Sequence, residues 1–275
     1  ARIRENIHNV LASYLASGLD PALSTIVVQS QIPEIHELYV YFSMIVTIAS
    51  LQQNPTTKNE IKLGYNKNLS LGFLGYPVHQ AADIAVFRAN LVPVGQDQVP
   101  HIEEARHLVR KFNGLYGADL VEPEAKVGAT PILPGLDGKE KMSKSLGNAI
   151  YLCDEDNEIK NKLQKAVTDP ARIHVTDKGH PDICTIFKYY QAFFPADVTE
   201  VRDKCENAKW GCGHCKKQML DRMTGMIKPM RDTYQRVRKD EAYLNQILKE
   251  GCVKGRERAA STMDGVRKKM SLQAF

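Results

Sequence analysis

Residues 75–98 read GYPVHQAADIAVFRANLVPVGQDQ. Apolar residues at helical spacing predict a helix over about 77–87, and Leu91–Val94 is a short apolar run that suits a strand. A second helix is predicted over about 98–113. Upstream, Ile7, Val10, Leu11, Tyr14, Leu15 and Leu19 mark a helix over Arg4–Leu19, with Gly18 as a plausible stop. The β-branched run Thr25–Val28 predicts a buried parallel strand, and Pro33 opens a helical pattern through Ile35, Leu38, Phe42, Ile45 and Leu51. Residues 52–71 are polar and read as a surface loop. Helix and strand alternating at this spacing predict an α/β fold, a parallel sheet with helices on its faces.

From about residue 155 strand-like runs disappear. Helices are predicted over Ile159–Ala166, Ile183–Phe194, Lys217–Lys239, Asp240–Leu248 and Gly255–Met270, with Pro229 as a kink or junction. The expected organisation is a Rossmann-like domain over 1–154 and an all-α domain over 155–275. Charge follows the same division: residues 1–150 hold 13 basic and 14 acidic side chains, residues 151–275 hold 24 and 18. A near-neutral half joined to a basic half fits a catalytic unit with a polyanion-binding appendage, although a solvated helical surface gives the same balance. At 275 residues, 43% hydrophobic and 25% charged, the chain can bury a core. It has no apolar stretch long enough for a membrane span and no short repeat. It opens at Ala1, with no Met and no signal peptide, in what reads as the middle of a helix, so a preceding segment is expected to be missing.

Residues 141–145 read KMSKS, after Leu136-Asp137-Gly138. Lys141 and Lys144, three apart on a loop, suit charge that builds up on a leaving pyrophosphate, and Ser143 and Ser145 can donate to phosphate oxygens. This pentapeptide, with Gly75–Ile84 and Val92–Gln98, resembles the class I aminoacyl-tRNA synthetases in their bacterial tryptophanyl branch. The resemblance covers nearly the whole chain. It implies ATP contacts at Lys141, Met142, Ser143, Lys144 and Ser145, with Lys141 and Lys144 catalytic. The family's His-Ile-Gly-His-type ATP motif is nowhere in the sequence, and one strand–loop–helix unit ahead of Ala1 would account for it.

The same resemblance implies a tryptophan pocket. An indole presents a large apolar body and one N–H donor, so its pocket needs apolar walls and a buried acceptor. Asp83 is that acceptor, Tyr76, Gln80 and Ile84 share its helix, and Val92 and Val94 line the wall from one strand face. Tyr76 and Gln98 would orient the ammonium and carboxylate. Gln80 stands where the branch has Met. Asp83 as a surface helix residue and Gln98 as a helix-start residue are the plainer readings of the residues alone. Tyr76, Gln80 and Asp83 also suit a tyrosine pocket, whereas Val92-Pro93-Val94-Gly95 favours tryptophan.

Four of six cysteines fall as C-x20-C-x6-C-x2-C: Cys184, Cys205, Cys212 and Cys215. Four thiolates suit Zn²⁺ or an iron–sulfur cluster, and the spacing alone favours zinc. The resemblance favours a four-iron four-sulfur cluster, because some members carry a very similar spacing. Four buried free thiols are the remaining alternative. Lys204, Lys209, Lys216, Lys217, Trp210 and His214 surround the set, and Trp210 either stacks an unpaired base or shields the metal. Cys153 and Cys252 have no visible partner and are read as packing residues.

Together the resemblance implies a cytoplasmic homodimeric ligase that activates tryptophan with ATP and Mg²⁺ and transfers it to tRNA(Trp), the helical domain binding the anticodon. The rivals are a tyrosyl-tRNA synthetase and a non-catalytic, metal-stabilised RNA-binding paralogue.

Overall fold

The computed structural model describes residues 2–62, 69–128, 130, 132–138, 141–143 and 146–272. In chain order these form α1 (Arg2–Ala16), α2 (Pro33–Ser43), α3 (Ile48–Gln53), α4 (Pro55–Lys62), α5 (Leu71–Val86), β1 (Leu91–Val94), α6 (Val99–Tyr116), β2 (Glu124–Val127), α7 (Asp156–Lys165), α8 (Thr185–Phe193), α9 (Val198–Glu206), α10 (Cys212–Arg238) and α11 (Glu241–Lys269). The contacts divide the chain into two compact units, residues 20–131 with 245–275, and residues 1–19 with 132–244. The expected boundary between residues 154 and 155 does not coincide with this packing division.

In the unit built from residues 20–131 and 245–275, α5 packs on α2 and α6. Ala81, Ala82 and Ala85 give α5 a smooth face, and Leu38, Phe42, Leu108 and Phe112 fill the space against it. Phe42 and Phe112 meet edge to face at 5.5 Å, a geometry that adds to their apolar burial. Ser70 starts α5 by accepting from the Phe73 N–H at 3.1 Å. Pro77 lies inside the helix. β1 pairs with β2 in parallel, Leu91 opposite Glu124 and Val94 opposite Val127. Among the described residues this two-stranded ladder is the sheet.

The structure changes several expectations. Residues 25–28 make no ladder among the described residues; the Val28 N–H is spent on Cys252 Sγ at 3.3 Å. Within 52–71, α4 occupies residues 55–62 and follows α3, which Thr47 caps through the Ser50 N–H. Residues 63–68 of that expected loop lie outside the described residues. The helix expected from Pro33 through Leu51 stops at Ser43 and resumes at Ile48. The two helices expected after Asp240 are one, α11. Gly251 and Gly255 do not break it; they admit a close neighbour. A Cβ at Gly251 would run into the Ile26 carbonyl, and one at Gly255 would come within 2.6 Å of Val27 Cγ1. β2 and α9 were not anticipated by the spacing.

In the unit built from residues 1–19 and 132–244, α10 runs unbroken through Pro229 and packs on α1, α7 and α8. Its Met219, Met223 and Ile227 are buried with Ile159, Leu163 and Tyr190 in one core. Buried Arg231 fastens α10 to the start of α7, donating to the Asp154 carbonyl at 2.6 Å and to Asp156 Oδ1 at 2.8 Å. Asn9 on α1 accepts from Arg238 Nε at 2.6 Å.

Candidate active site and thiol cavity

Helical geometry sets Tyr76, Gln80, Asp83 and Ile84 on one side of α5, at successive intervals of four, three and one residues. The half-buried Asp83 carboxylate accepts from Gln29 Nε2 at 2.9 and 2.7 Å, one distance to each oxygen. His79 Nδ1 lies 3.8 Å from Asp83 Oδ2. Burial pushes the Asp83 pKa above the usual carboxylate range, against the Gln29 hydrogen bond and the nearby His79 and His36. Tyr76 pairs its hydroxyl with His101 Nε2 at 3.1 Å and packs edge to face on both His101 and Phe73. Ile84 packs on the core. Val92 and Val94 are both half-buried while Leu91 and Pro93 are exposed, so the two valines share a face as the alternation requires. Gln98 turns its amide to Asp97 Oδ2 at 3.1 Å. Gly75 lets Tyr39 approach α5: a Cβ there would sit 2.5 Å from the Tyr39 hydroxyl.

The KMSKS segment lies in the other compact unit. Lys141 is exposed and bridges Pro134 in antiparallel fashion, and the Met142 N–H donates to the Leu133 carbonyl at 2.9 Å. Met142 packs on that unit's core. Asn148, 5% exposed, gathers both flanks of the loop. Its Oδ1 accepts from the Ser143 N–H at 2.8 Å, its Nδ2 donates to the Asp137 carboxylate at 3.3 Å, and its carbonyl accepts from the Leu136 N–H at 2.9 Å. Gly135 must be glycine because a Cβ there would overlap the Asn148 amide. Gly138 and Gly147 take positive φ of 70° and 64° on either side. Lys144 and Ser145 lie outside the described residues.

Cys184, Cys205, Cys212 and Cys215 line one cavity with Arg172 and Trp210. Cys184 sits just ahead of α8, Cys205 in the last turn of α9, and Cys212 and Cys215 in the first turn of α10. Burial pushes the thiols of Cys184 and Cys205 up, and that of Cys215 up to about 12. Among the described residues no three His, Cys, Asp or Glu side chains are gathered closely enough for a single metal ion. Arg172 suits an anionic group among these thiols, and Gly179 makes room for one of them. Arg172 Nη1 lies 3.9 Å from Cys205 Sγ, and its buried Nε has no hydrogen-bond partner. Gly179 donates its N–H to the Cys205 carbonyl at 3.0 Å, and a Cβ there would run into Cys205 Sγ.

Trp210 lines this cavity, 4.9 Å from the His214 ring. Two of the surrounding lysines are engaged: Lys209 pairs with Asp203 at 2.7 Å, and Lys216 donates to the Gln164 and Ala166 carbonyls at 2.7 and 2.8 Å. Cys153 is exposed. Gln29, His36, Asn148 and Arg172 escaped the sequence reading. His79 escaped it as well, although its place four residues before Asp83 is the signal that could have found it.

The family described as tRNA synthetases class I (W and Y) matches residues 1–228. A tryptophan–tRNA ligase of Clostridium longisporum is 45% identical over 280 residues, covering 100% of this chain and 82% of the relative. One of Thermotoga maritima is 42% identical over 279 residues, covering 99% of this chain and 84% of that one. Among solved structures, a tryptophanyl-tRNA synthetase from Campylobacter jejuni complexed with ADP and tryptophan superposes with a TM-score of 0.82 at 30% identity, over 98% of this chain and 84% of that chain.

Proposed function

The chain belongs to the class I tRNA synthetases of the tryptophan and tyrosine family, and on that premise we propose that it is a tryptophan–tRNA ligase. The observation that carries tryptophan over tyrosine is the 45% and 42% identity, over essentially the whole chain, to relatives bearing that name. The tryptophan carboxylate attacks the α-phosphorus of ATP, forming the acyl–phosphate bond as the bond to pyrophosphate breaks. A ribose hydroxyl of tRNA(Trp) then attacks the acyl carbon and AMP leaves. Mg²⁺ enters with ATP.

In this reading Asp83 accepts the indole N–H, and Ile84, Val92, Val94 and the aliphatic part of Gln80 wall the ring. Tyr76 and Gln98 orient the ammonium and carboxylate. A buried acceptor that pairs only with a donor-bearing ring gives strong discrimination. Lys141 and Lys144 stabilise the departing pyrophosphate, with Met142, Ser143 and Ser145 against ATP, and Asn148 fixes the base of their loop. The functional division is a catalytic domain over 1–154 and an anticodon-binding domain over 155–275, which cuts across the packing units. Homodimeric assembly and a cytoplasmic site of action belong to the same proposal.

Cys184, Cys205, Cys212 and Cys215 would hold a four-iron four-sulfur cluster. The four thiols line one cavity with Arg172, which supports an anionic group there, and the cysteine spacing shared with some members of the family favours the cluster over zinc. Arg172 offsets the negative charge of four thiolates and sulfides. Bound there, the cluster supplies a structural cross-link between α8, α9 and α10.

The test is charging of tRNA transcripts by the purified protein. It should attach tryptophan to tRNA(Trp) and leave tyrosine and tRNA(Tyr) untouched. Lys141→Ala should lower kcat for pyrophosphate exchange about 100-fold while KM for tryptophan holds. Charging of tyrosine supports the tyrosyl rival, and a folded protein without exchange activity supports the non-catalytic paralogue.

A further inference from the structure

We propose that Gln29 is a positioning residue for the amino-acid pocket: its side-chain amide, acting with His79, holds the Asp83 carboxylate as an acceptor aimed at the substrate. This rests on the reading of Asp83 as the group that meets the indole N–H.

The hydrogens around Asp83 can be counted. Gln29 Nε2 faces three acceptors: the two Asp83 oxygens at 2.9 and 2.7 Å and His79 Nδ1 at 3.2 Å. An amide nitrogen carries two hydrogens. One serves the carboxylate, shared between its oxygens, and the other serves His79 Nδ1. His79 then carries its own hydrogen on Nε2 and donates it to His36 Nδ1 at 2.9 Å. The three donor hydrogens of Gln29 Nε2 and His79 Nε2 each meet an acceptor. The opposite orientation of the Gln29 amide would set its oxygen against a carboxylate, two acceptors with no hydrogen between them, so the network assigns the amide.

Two consequences follow for selection. A donor on Asp83 favours its ionised form against the burial that opposes ionisation, and an ionised carboxylate can accept but not donate. Gln29 also leaves lone pairs unused, since a carboxylate offers about four. The pocket therefore presents a fixed acceptor before the substrate arrives, and part of the ordering loss on binding is already met. Gln29 comes from the short helical turn at Gln29–Gln31, 54 residues from Asp83 in sequence. Its side chain is exposed, so replacing it does not disturb the core.

The experiment is a double-mutant cycle on the full chain, read by calorimetry with tryptophan and by KM for tryptophan and for ATP in pyrophosphate exchange. Gln29→Met keeps the length and removes the donor; it should weaken tryptophan binding about 10-fold, as loss of a hydrogen bond to a charged group does, with KM for ATP unchanged. Gln29→Glu sets a like charge beside Asp83 and should weaken it further. In an Asp83→Ala background Gln29→Met should add no more than about twofold. If Asp83→Ala weakens tryptophan binding but Gln29→Met stays within about twofold of wild type, Gln29 positions nothing and the inference falls while the pocket stands. An equal Gln29→Met effect in both backgrounds also overturns it. If Asp83→Ala leaves tryptophan affinity unchanged, the reading of Asp83 falls first and takes the inference with it.

Discussion

The groups around Asp83 and those around the four thiols solve the problem of polar atoms in a fold differently. Asp83, Gln29, His79 and His36 are half-buried or exposed and pair with one another. Cys184, Cys205 and Cys215 are thiols whose ionised form is disfavoured by burial, and Arg172 holds a buried Nε without a partner. A region whose donors and acceptors close on themselves is stable in its own right. A region of buried thiols beside a guanidinium with one unpaired N–H would gain stability from a group bound by the thiols, because ligand binding to the folded state is folding free energy. The contrast separates a site read by affinity from a site read by stability.

The largest expected effect is at the thiols. Cys184→Ser, Cys205→Ser, Cys212→Ser or Cys215→Ser should abolish the brown colour of anaerobically purified protein and destabilise it by more than about 4 kcal/mol in chemical denaturation, the scale of a lost metal site. Cys153→Ser should change neither. Stoichiometric zinc in a colourless preparation would keep the four ligands and remove the cluster.

Asp83→Ala should act on the other side of the contrast. Tryptophan affinity should fall by about 1–3 kcal/mol by calorimetry, the cost of an unmet buried donor, with little change in Tm. The pH trend has a definite sign. Burial raises the Asp83 pKa in the fold above its unfolded value of about 3.9. Its contribution to stability is therefore fully present below that unfolded value and lost as pH rises through the folded one. Tryptophan binding, which uses the ionised form, should weaken as pH falls through the same raised pKa. A pH titration of Kd that is flat down to the ordinary carboxylate range would break the link between Asp83 and the indole.

A smaller effect is expected at Gly179. Gly179→Ala presses on Cys205 Sγ and should cost about 1–3 kcal/mol of stability, as overpacking does, leaving tryptophan affinity unchanged. A matching loss of affinity would show that the two regions are not separable.

Legibility in the sequence divides by the range of the interactions involved. α5 and β1 were readable because their apolar periods are local and strong. β2, Glu124-Ala125-Lys126-Val127, carries charge on alternate positions and has no such run. Thr25–Val28 has strand composition, but Cys252, 224 residues away, takes the Val28 N–H. The thiol set was legible because cysteine spacing is a pattern in itself. The reading of Asp83 as an acceptor came only through the family resemblance, whereas the paired lysines of KMSKS already suggested a polyphosphate by type and spacing. Gln29 and His36 were not legible, since their partners lie 54 and 43 residues off. Asn148 stands only five residues from Ser143, yet nothing in its type marks it as the residue that ties the loop's two flanks.

The most direct measurement is calorimetric titration of the intact protein with tryptophan and, separately, with tyrosine. Tryptophan should bind at one site per chain and tyrosine at least about 100-fold more weakly, on the scale by which a site built around one substrate donor rejects a poorer fit. Equal or tighter binding of tyrosine would contradict the assignment of Asp83 as an indole acceptor and of the chain as a tryptophan–tRNA ligase.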